Sequence, residues 1–327
     1  MNPYLVSILV PIFGVEKYIE RCAKSLFEQT YKNIEYIFVD DCSKDKSINL
    51  LEKVIKEYPE KKDYIKIIHH HTNRGLAAAR NTAIENSRGE FIMHVDSDDW
   101  IEKDAVEHLV NQQIKTCSDM VIGAAIIHRH SGNSVYYPIH TDNHWTLMDR
   151  TVDTQSFECS IWRRLIRRKL LLDNNIACIE GINMGEDIQV TPRLCYYAQK
   201  ISWTDDVVYH YNMMNESSYV NSGKNSFKLE KNYWESLNSW YVLRNFFKGK
   251  TFASISERIE NYMCFYSYHG MQLSALNGHK LEFLDFKKIF NTISRSNWYK
   301  IGNKNRLIVY LKTNYYILRV SYYRHDK

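Results

Sequence analysis

The stretch Phe91-Ile92-Met93-His94-Val95-Asp96-Ser97-Asp98-Asp99 sets a mostly apolar run directly against a run of acids. It reads as a short buried strand whose carboxyl end opens onto a turn. Asp96, Asp98 and Asp99 leave that strand end together, so their carboxylates are placed to converge on one point. Clustered carboxylates with no His or Cys beside them suit a hard octahedral ion, Mg²⁺ or Mn²⁺, which also takes oxygens from a diphosphate. The same pattern fits a plain turn before a helix, where the helix dipole favours acids.

Working outward, strand-like runs at 6–12, 34–39, 65–69, 91–95 and 120–127 alternate with helix-period segments at 17–29, 48–57, 75–86 and 103–115. That alternation predicts an α/β fold, a mostly parallel sheet flanked by helices on both faces. In such sheets ligands bind beyond the carboxyl ends of the strands, where Asp40-Asp41 and Asp96-Ser97-Asp98-Asp99 fall. Residues 153–212 carry a mixed pattern, with helices expected at 156–172 and 185–198 and a strand at 207–211. Beyond 222 the chain reads as helical, with helices at 227–247, 254–276 and 304–323 and Gly249, Gly278 and Gly302 near the breaks. The expected division is a catalytic domain over 1–221 and a helical C-terminal region over 222–327.

Three further motifs carry candidate chemistry. Asp40-Asp41-Cys42-Ser43 ends an apolar strand, and one of its carboxylates is a candidate acceptor for the imide N–H of a uracil or thymine ring; a capping turn fits equally. Asn73-Arg74-Gly75 opens the small-residue helix Leu76-Ala77-Ala78-Ala79-Arg80-Asn81, which can pack closely and offers Arg80 to a phosphate or base. Gly185-Glu186-Asp187 places two adjacent acids at a helix start. Carboxylates that share a partly buried site raise one another's pKa, which fits one of them to act as general base. An acid pair favoured by the helix dipole is the simpler account of that motif alone.

Taken together and in this order, the motifs resemble those of family 2 glycosyltransferases of the GT-A fold, of the type found in bacterial capsular, exopolysaccharide and lipopolysaccharide synthesis. The resemblance runs from about residue 4 to 215. It rests on Val6-Ser7-Ile8-Leu9-Val10-Pro11-Ile12-Phe13 with Glu16, on Val39-Asp40-Asp41-Cys42-Ser43, and on Asn73-Arg74-Gly75 with Ala79-Arg80-Asn81. Gly89-Glu90-Phe91-Ile92, Asp96-Ser97-Asp98-Asp99 and Gly185-Glu186-Asp187 complete the set. Phe13-Gly14 departs from the Tyr-Asn of many relatives.

The resemblance implies that Pro11, Glu16, Asp40, Asp41, Arg80, Asp96 and Ser97 contact a nucleotide-sugar donor, with a UDP-sugar the expected one. It implies a metal, Mn²⁺ or Mg²⁺, at a DxD motif in which Asp98 is the ligand, Asp96 approaches the donor ribose or sugar, and Asp99 extends the cluster. Asp187 matches the family's catalytic base and Glu186 its supporting neighbour. The acceptor is expected to be a hydroxyl of a glycan or lipid-linked sugar. Two other classes stay open. A sugar-phosphate nucleotidyltransferase needs a Gly-rich basic loop after the first strand, which Phe13-Gly14-Val15-Glu16 lacks. A non-catalytic carbohydrate- or partner-binding protein on the same fold would have no use for Asp96, Asp98 and Asp187, all present.

Charge bears on location. Residues 222–327 hold 18 basic and 7 acidic side chains, a balance of +11, which leaves −6 for residues 1–221 of a chain with net charge +5. An acidic front suits a cation site, and a basic, aromatic-rich tail suits an anionic surface. In 304–323, Leu307, Leu311, Tyr315, Leu318 and Tyr322 fall on one helical face beside Lys304, Arg306, Lys312 and Arg319. Such a helix either lies in a membrane interface or packs its stripe on the catalytic domain. No nucleic-acid motif accompanies the charge, so nucleic acid is not an expected partner. No signal-peptide pattern opens the sequence, no apolar run spans a bilayer, and the seven cysteines are scattered. The expectation is a cytoplasmic protein, peripheral on the inner membrane face. Trp145, Trp162, Arg164 and Trp203 are candidates for an acceptor groove, and His210 for the metal; core packing is the plainer role for each.

Overall fold

The structure, a computed structural model, describes residues 4–141, 143–153, 157–215, 218, 226–250 and 252–297. The chain forms two compact units, Met1–Asn215 and Glu216–Lys327. In the first, strands β1 (Val6–Ile12), β2 (Ile34–Asp40), β3 (Ile65–His69), β4 (Phe91–His94), β5 (Trp100–Ile101), β6 (Met120–Arg129), β7 (Gly132–Tyr136), β8 (Arg164–Arg167) and β9 (Ile201–Asn212) form one sheet. The helices of this unit are α1 (Ile19–Phe27), α2 (Ser47–Glu57), α3 (Leu76–Glu85), α4 (Ala105–Thr116), α5 (His144–Thr151), α6 (Arg168–Asp173) and α7 (Glu186–Tyr197). Strand order is β3-β2-β1-β4-β8-β6-β9-β5, with β7 paired to β6.

The half β3-β2-β1-β4 is parallel throughout. Every residue of β1 and β2 is buried, as strands covered on both faces require. Successive strands are laid down on opposite sides of β1, so the carboxyl ends of β2 and β4 flank a switch point, where open α/β sheets bind ligands. Pro11 is tolerated inside this central strand for a geometric reason. Leu9 uses its carbonyl on the β4 side and Ile12 on the β2 side, so the alternation turns Pro11 towards β4, just past the last paired residues, Leu9 and His94. The missing N–H therefore removes no ladder bond.

Beyond β4 the sheet turns antiparallel at β8, and β6 and β9 run parallel to each other with a bulge at Gly123–Ala125. Here the expected helix over 156–172 is corrected. The segment is a 3₁₀ turn at Phe157–Cys159, then β8, and only then α6. Its apolar spacing suits a helix, but a buried charge cluster decides otherwise. Glu158, Arg163 and Arg164 are all fully buried; Glu158 lies 3.1 Å from Arg163 and 3.6 Å from Arg164. Arg163 takes a left-handed backbone, φ 60°, which no helix continues, and donates to the Gly123 carbonyl at 2.8 Å. Trp162 stacks between Tyr209 and Tyr211 at 4.8 and 5.1 Å. Trp162 and Arg164 are therefore core residues, whereas Trp145 is exposed and Trp203 stacks on His140.

The second unit holds α8 (Ser226–Phe247), α9 (Ala253–Asn277) and α10 (Lys280–Asn297). α10 was not among the helices expected, and the helix expected at 304–323 lies outside the described residues. Gly278, at φ 76°, ends α9 and lets the chain reverse into α10. Gly270 allows the Phe286 ring against α9, since a Cβ there would meet it at 2.4 Å. Among the described residues no helix is long and apolar enough to cross a membrane.

Glu158→Ala would leave two buried guanidinium groups without their carboxylate. The expected cost is about 3–5 kcal/mol, read as a lower urea midpoint at unchanged slope; an unchanged midpoint would show the cluster to be dispensable.

Candidate active site

The β2 end is built around Asp41. Its two oxygens accept the backbone N–H groups of Arg74 at 2.8 Å and Gly75 at 2.7 Å, and one of them lies 2.7 Å from His70 Nδ1. Asp41 thus caps the entrance to α3, whose first residue before the helix, Gly75, sits at φ 90°. Asp40 accepts from the Ser43 amide at 2.9 Å and lies 3.0 Å from His69 Nδ1. A carboxylate offers about four acceptor positions. Asp40 therefore has more capacity left for a base than Asp41. Glu16 accepts from the Lys46 amide at 3.0 Å and donates its own amide to Asp45, joining the loops after β1 and β2.

α3 delivers Arg80 to the other side of the crevice. Its guanidinium is 2% exposed, and Nη2 lies 3.0 Å from Asp96 Oδ1 and 3.3 Å from Glu186 Oε1. Burial alone would lower its pKa, but Asp96, Glu186 and Asp187 together raise it above the ordinary value. Arg80 was expected at a phosphate or base. The structure turns it inwards as the counter-ion of carboxylates from β4 and α7. His94 beneath it is fully buried with neither ring nitrogen bonded, and burial with the nearby Arg80 holds it neutral.

The acids after β4 divide. Asp96 keeps a side chain 23% exposed and Ser97 is buried. Asp98 accepts from Asn215 Nδ2 at 2.7 Å, and burial raises its pKa. Asp99, expected as a third metal residue, is fully buried and accepts from the Asn212 amide at 2.7 Å and the Tyr209 hydroxyl at 2.8 Å. Burial, then Asp98 and Asp96, push its pKa well up. It works as the anchor of β9 under the loop. Among the described residues no three His, Cys, Asp or Glu side chains form a ready-made metal cage. Asp96 and Asp98, all-oxygen and few, fit an ion that keeps several positions for water and phosphate, as Mg²⁺ does. Asp96 Oδ1 fits this too. It is buried without a hydrogen bond, its contact with Arg80 being close but poorly angled.

Glu186 and Asp187 open α7 behind Gly185, at φ 80°. Burial is the chief cause raising both pKa values; each also feels a neighbouring carboxylate, and Arg80 opposes the rise. Asp187 Oδ1 is buried without a hydrogen-bond partner. A raised carboxyl with a free oxygen has the properties of a general base. The approach to α7 is clasped onto α3. Asn81 exchanges hydrogen bonds of 2.8 and 3.0 Å with Cys178, Asn183 accepts from the Ala77 amide at 3.1 Å, and Arg74 pairs with Glu180 at 2.7 Å. A Cβ on Gly75 would strike the Asn183 side chain at 2.3 Å. His210, a candidate for the metal, is instead engaged by His128 at 2.9 Å and Glu102 at 2.7 Å.

Sequence reasoning did not single out Asn183, Asn212, Asn215 or Arg21. Lone amides and a lone Arg carry no spacing signal; only the return of β9 beside the β4 end shows their use.

Residues 7–173, half of the chain, match the model of glycosyl transferase family 2. The chain belongs to that family. Its similarity to individual members is moderate. It is 30% identical to glycosyltransferase GlyA of Streptococcus pneumoniae over 63% of this chain and 30% of that protein. It is 33% identical to the putative glycosyltransferase EpsH of Bacillus subtilis over 64% of this chain and 61% of that protein. The chain thus spans less than two thirds of these relatives. The fold is that of GT-A enzymes. A crystal structure of S. aureus TarS 1-349 in complex with UDP-GlcNAc superposes with TM-score 0.55 at 21% identity, covering 91% of this chain and 93% of that one. Mannosyltransferase PcManGT from Pyrobaculum calidifontis, in complex with GDP-Man and Mn²⁺, gives 0.53 at 14% identity over 97% and 86%. Glu186 and Asp187 lie beyond the residues matched by the family model.

A carboxyl whose pKa is raised on folding keeps its proton in the native state where the unfolded chain, near 3.9, has lost it. Stability then falls as pH rises from about 4 through the raised value, and stays lower above it. Asp187→Asn should therefore raise Tm near pH 7, with the gain fading towards pH 4. A variant less stable than wild type at pH 7 would show that the carboxylate is net stabilising there.

Proposed function

We propose that this glycosyltransferase moves a hexosyl or N-acetylhexosaminyl group from a nucleotide-sugar donor, a UDP-sugar, to a hydroxyl of a glycan or lipid-linked acceptor in bacterial surface polysaccharide synthesis. The observation that carries this reading is the Arg80 bridge. It ties Asp96, beside the cation-binding candidate Asp98, to Glu186, beside the base candidate Asp187, so leaving-group side and attacking side are built as one site. Asp40, with acceptor capacity to spare, is assigned to the base, with Asp41, Glu16 and Pro11 shaping the loops around it. Mn²⁺ or Mg²⁺ on Asp98 and Asp96 would neutralise charge that develops on the departing diphosphate.

The acceptor hydroxyl attacks the anomeric carbon as the bond to the diphosphate oxygen breaks and that oxygen keeps the electron pair. Asp187 takes the hydroxyl proton. Glu186, held by Arg80, keeps the surroundings of Asp187 negative and its basicity high. One displacement inverts the anomeric centre, so an α-linked donor yields a β-glycoside. Location at the inner face of the membrane, through the basic C-terminal region, fits a lipid-linked acceptor; each basic residue near anionic lipid contributes about 1 kcal/mol.

Paired variants test the two halves. Asp98→Asn should lose Mn²⁺-supported donor binding, and EDTA should abolish turnover. Asp187→Asn should bind donor nearly as wild type yet transfer about 10²–10⁴-fold more slowly. Full turnover in EDTA would remove the metal from the account, and wild-type kcat in Asp187→Asn would move the base elsewhere, with Glu186 next in line.

A further inference from the structure

The Asp98 loop is pinned by three side chains, and they differ in what they touch. Arg21 Nη2 donates to the Asp98 backbone carbonyl at 3.2 Å, and Asn212 Nδ2 donates to the same carbonyl at 3.3 Å. Asn215 alone of the three reaches the carboxylate, Nδ2 to Oδ2 at 2.7 Å. The arrangement separates charges in a definite way. Arg21 is the cation of this group, and its guanidinium carbon lies over the Trp100 ring, 3.5 Å from the centroid. Trp100 in turn stacks on His210 at 4.8 Å and 8°. So held, the cation bonds main chain, while the carboxylate receives a neutral amide. An amide orients a carboxylate without competing for it, since it brings no charge of its own. A Lys or Arg on Asp98 would form an ion pair of the kind Arg80 makes with Asp96, and would weaken Asp98 as the main carboxylate for a cation.

We infer that Asn215 is a positioning residue for the cation-binding carboxylate of Asp98. It sets the rotation of the carboxylate and hence the direction in which its lone pairs are presented. Its own setting suits the task. It is 3% exposed, is the last residue of the first unit, and follows Asn212, whose amide N–H is bonded to Asp99. The last residue of β9 and the short segment after it therefore hold both acids of the loop, Asp99 through the Asn212 backbone and Asp98 through the Asn215 side chain. This inference rests on the assignment of a divalent cation to Asp98. Partners that orient metal ligands in this manner are worth about 10–100-fold in metal affinity.

The test uses the full-length protein with UDP and Mn²⁺, following loss of the free Mn²⁺ signal by electron paramagnetic resonance, with Tm measured alongside. Wild type should take up Mn²⁺ in the presence of UDP. Asn215→Ala should need about 10–100-fold more Mn²⁺ for half-saturation, with UDP affinity in the absence of metal unchanged. Asn215→Leu, which keeps the branching at Cγ but has no donor, serves as the second variant should the Ala variant fold poorly, and should show the same loss. A folded variant that binds Mn²⁺ as wild type does overturns the role of Asn215 while leaving the metal assignment intact. Absence of Mn²⁺ uptake by wild type, or uptake that Asp98→Asn does not weaken, overturns the metal assignment and the inference with it.

Discussion

The site depends on one buried cation. Placing the Arg80 guanidinium out of water costs several kcal/mol unless carboxylates surround it, and those carboxylates come from two distant parts of the chain, Asp96 after β4 and Glu186 at the start of α7. Each partner alone would be an expensive buried charge. Together they make a network in which the loss of any member strands the others. Three carboxylates, Asp96, Glu186 and Asp187, act on Arg80, so the cluster keeps a negative surplus. Burial is the chief cause of the raised pKa of Asp187; the surplus adds to it through Glu186, and it suits a divalent cation with a diphosphate arriving nearby.

Around Arg80 the neighbouring elements serve to keep α3 in place. Asp41 fixes the amino end of the helix through the Arg74 and Gly75 amides, Gly75 leaves room for Asn183, and Asn81 is paired with Cys178. β9, through Tyr209 and Asn212, and the segment just after it, through Asn215, then support the acid loop. Asp96 and Asp98 are thereby held by rigid sheet elements, which is how a site preserves its geometry while water and ligand exchange.

Much of this was legible in the sequence, for physical reasons. Fully buried parallel strands leave apolar runs, and their carboxyl ends leave acids and glycines. The strands at 6–12 and 65–69 and the placement of Asp40, Asp96 and Glu186 at element ends follow from those signals. What stayed hidden depends on long-range pairing. The segment 156–172 has helical spacing, but Glu158 draws Arg163 and Arg164 inwards and a strand results. Asp99 and Asp98 look alike in sequence, and only β9 shows that one is turned inwards and the other left to the site. Arg80 reads as a group for a phosphate or base, and its burial between Asp96 and Glu186 depends on the meeting of β4 and α7, which local sequence does not carry. α10 went unmarked because its apolar positions, Phe283, Phe286 and Phe290, are spread among charges and become a core face only against α9.

The central claim is that the acids after β4 and those opening α7 form a single site with a cation at Asp98. Crystals grown with UDP and Mn²⁺, measured at the manganese absorption edge, test it most directly. The account predicts one anomalous peak at Asp98 that also touches the diphosphate, with Asp187 facing the same cavity and Arg80 still joining Asp96 to Glu186. A peak held by other residues, or a diphosphate bound away from Asp98 with no metal beside it, would contradict it.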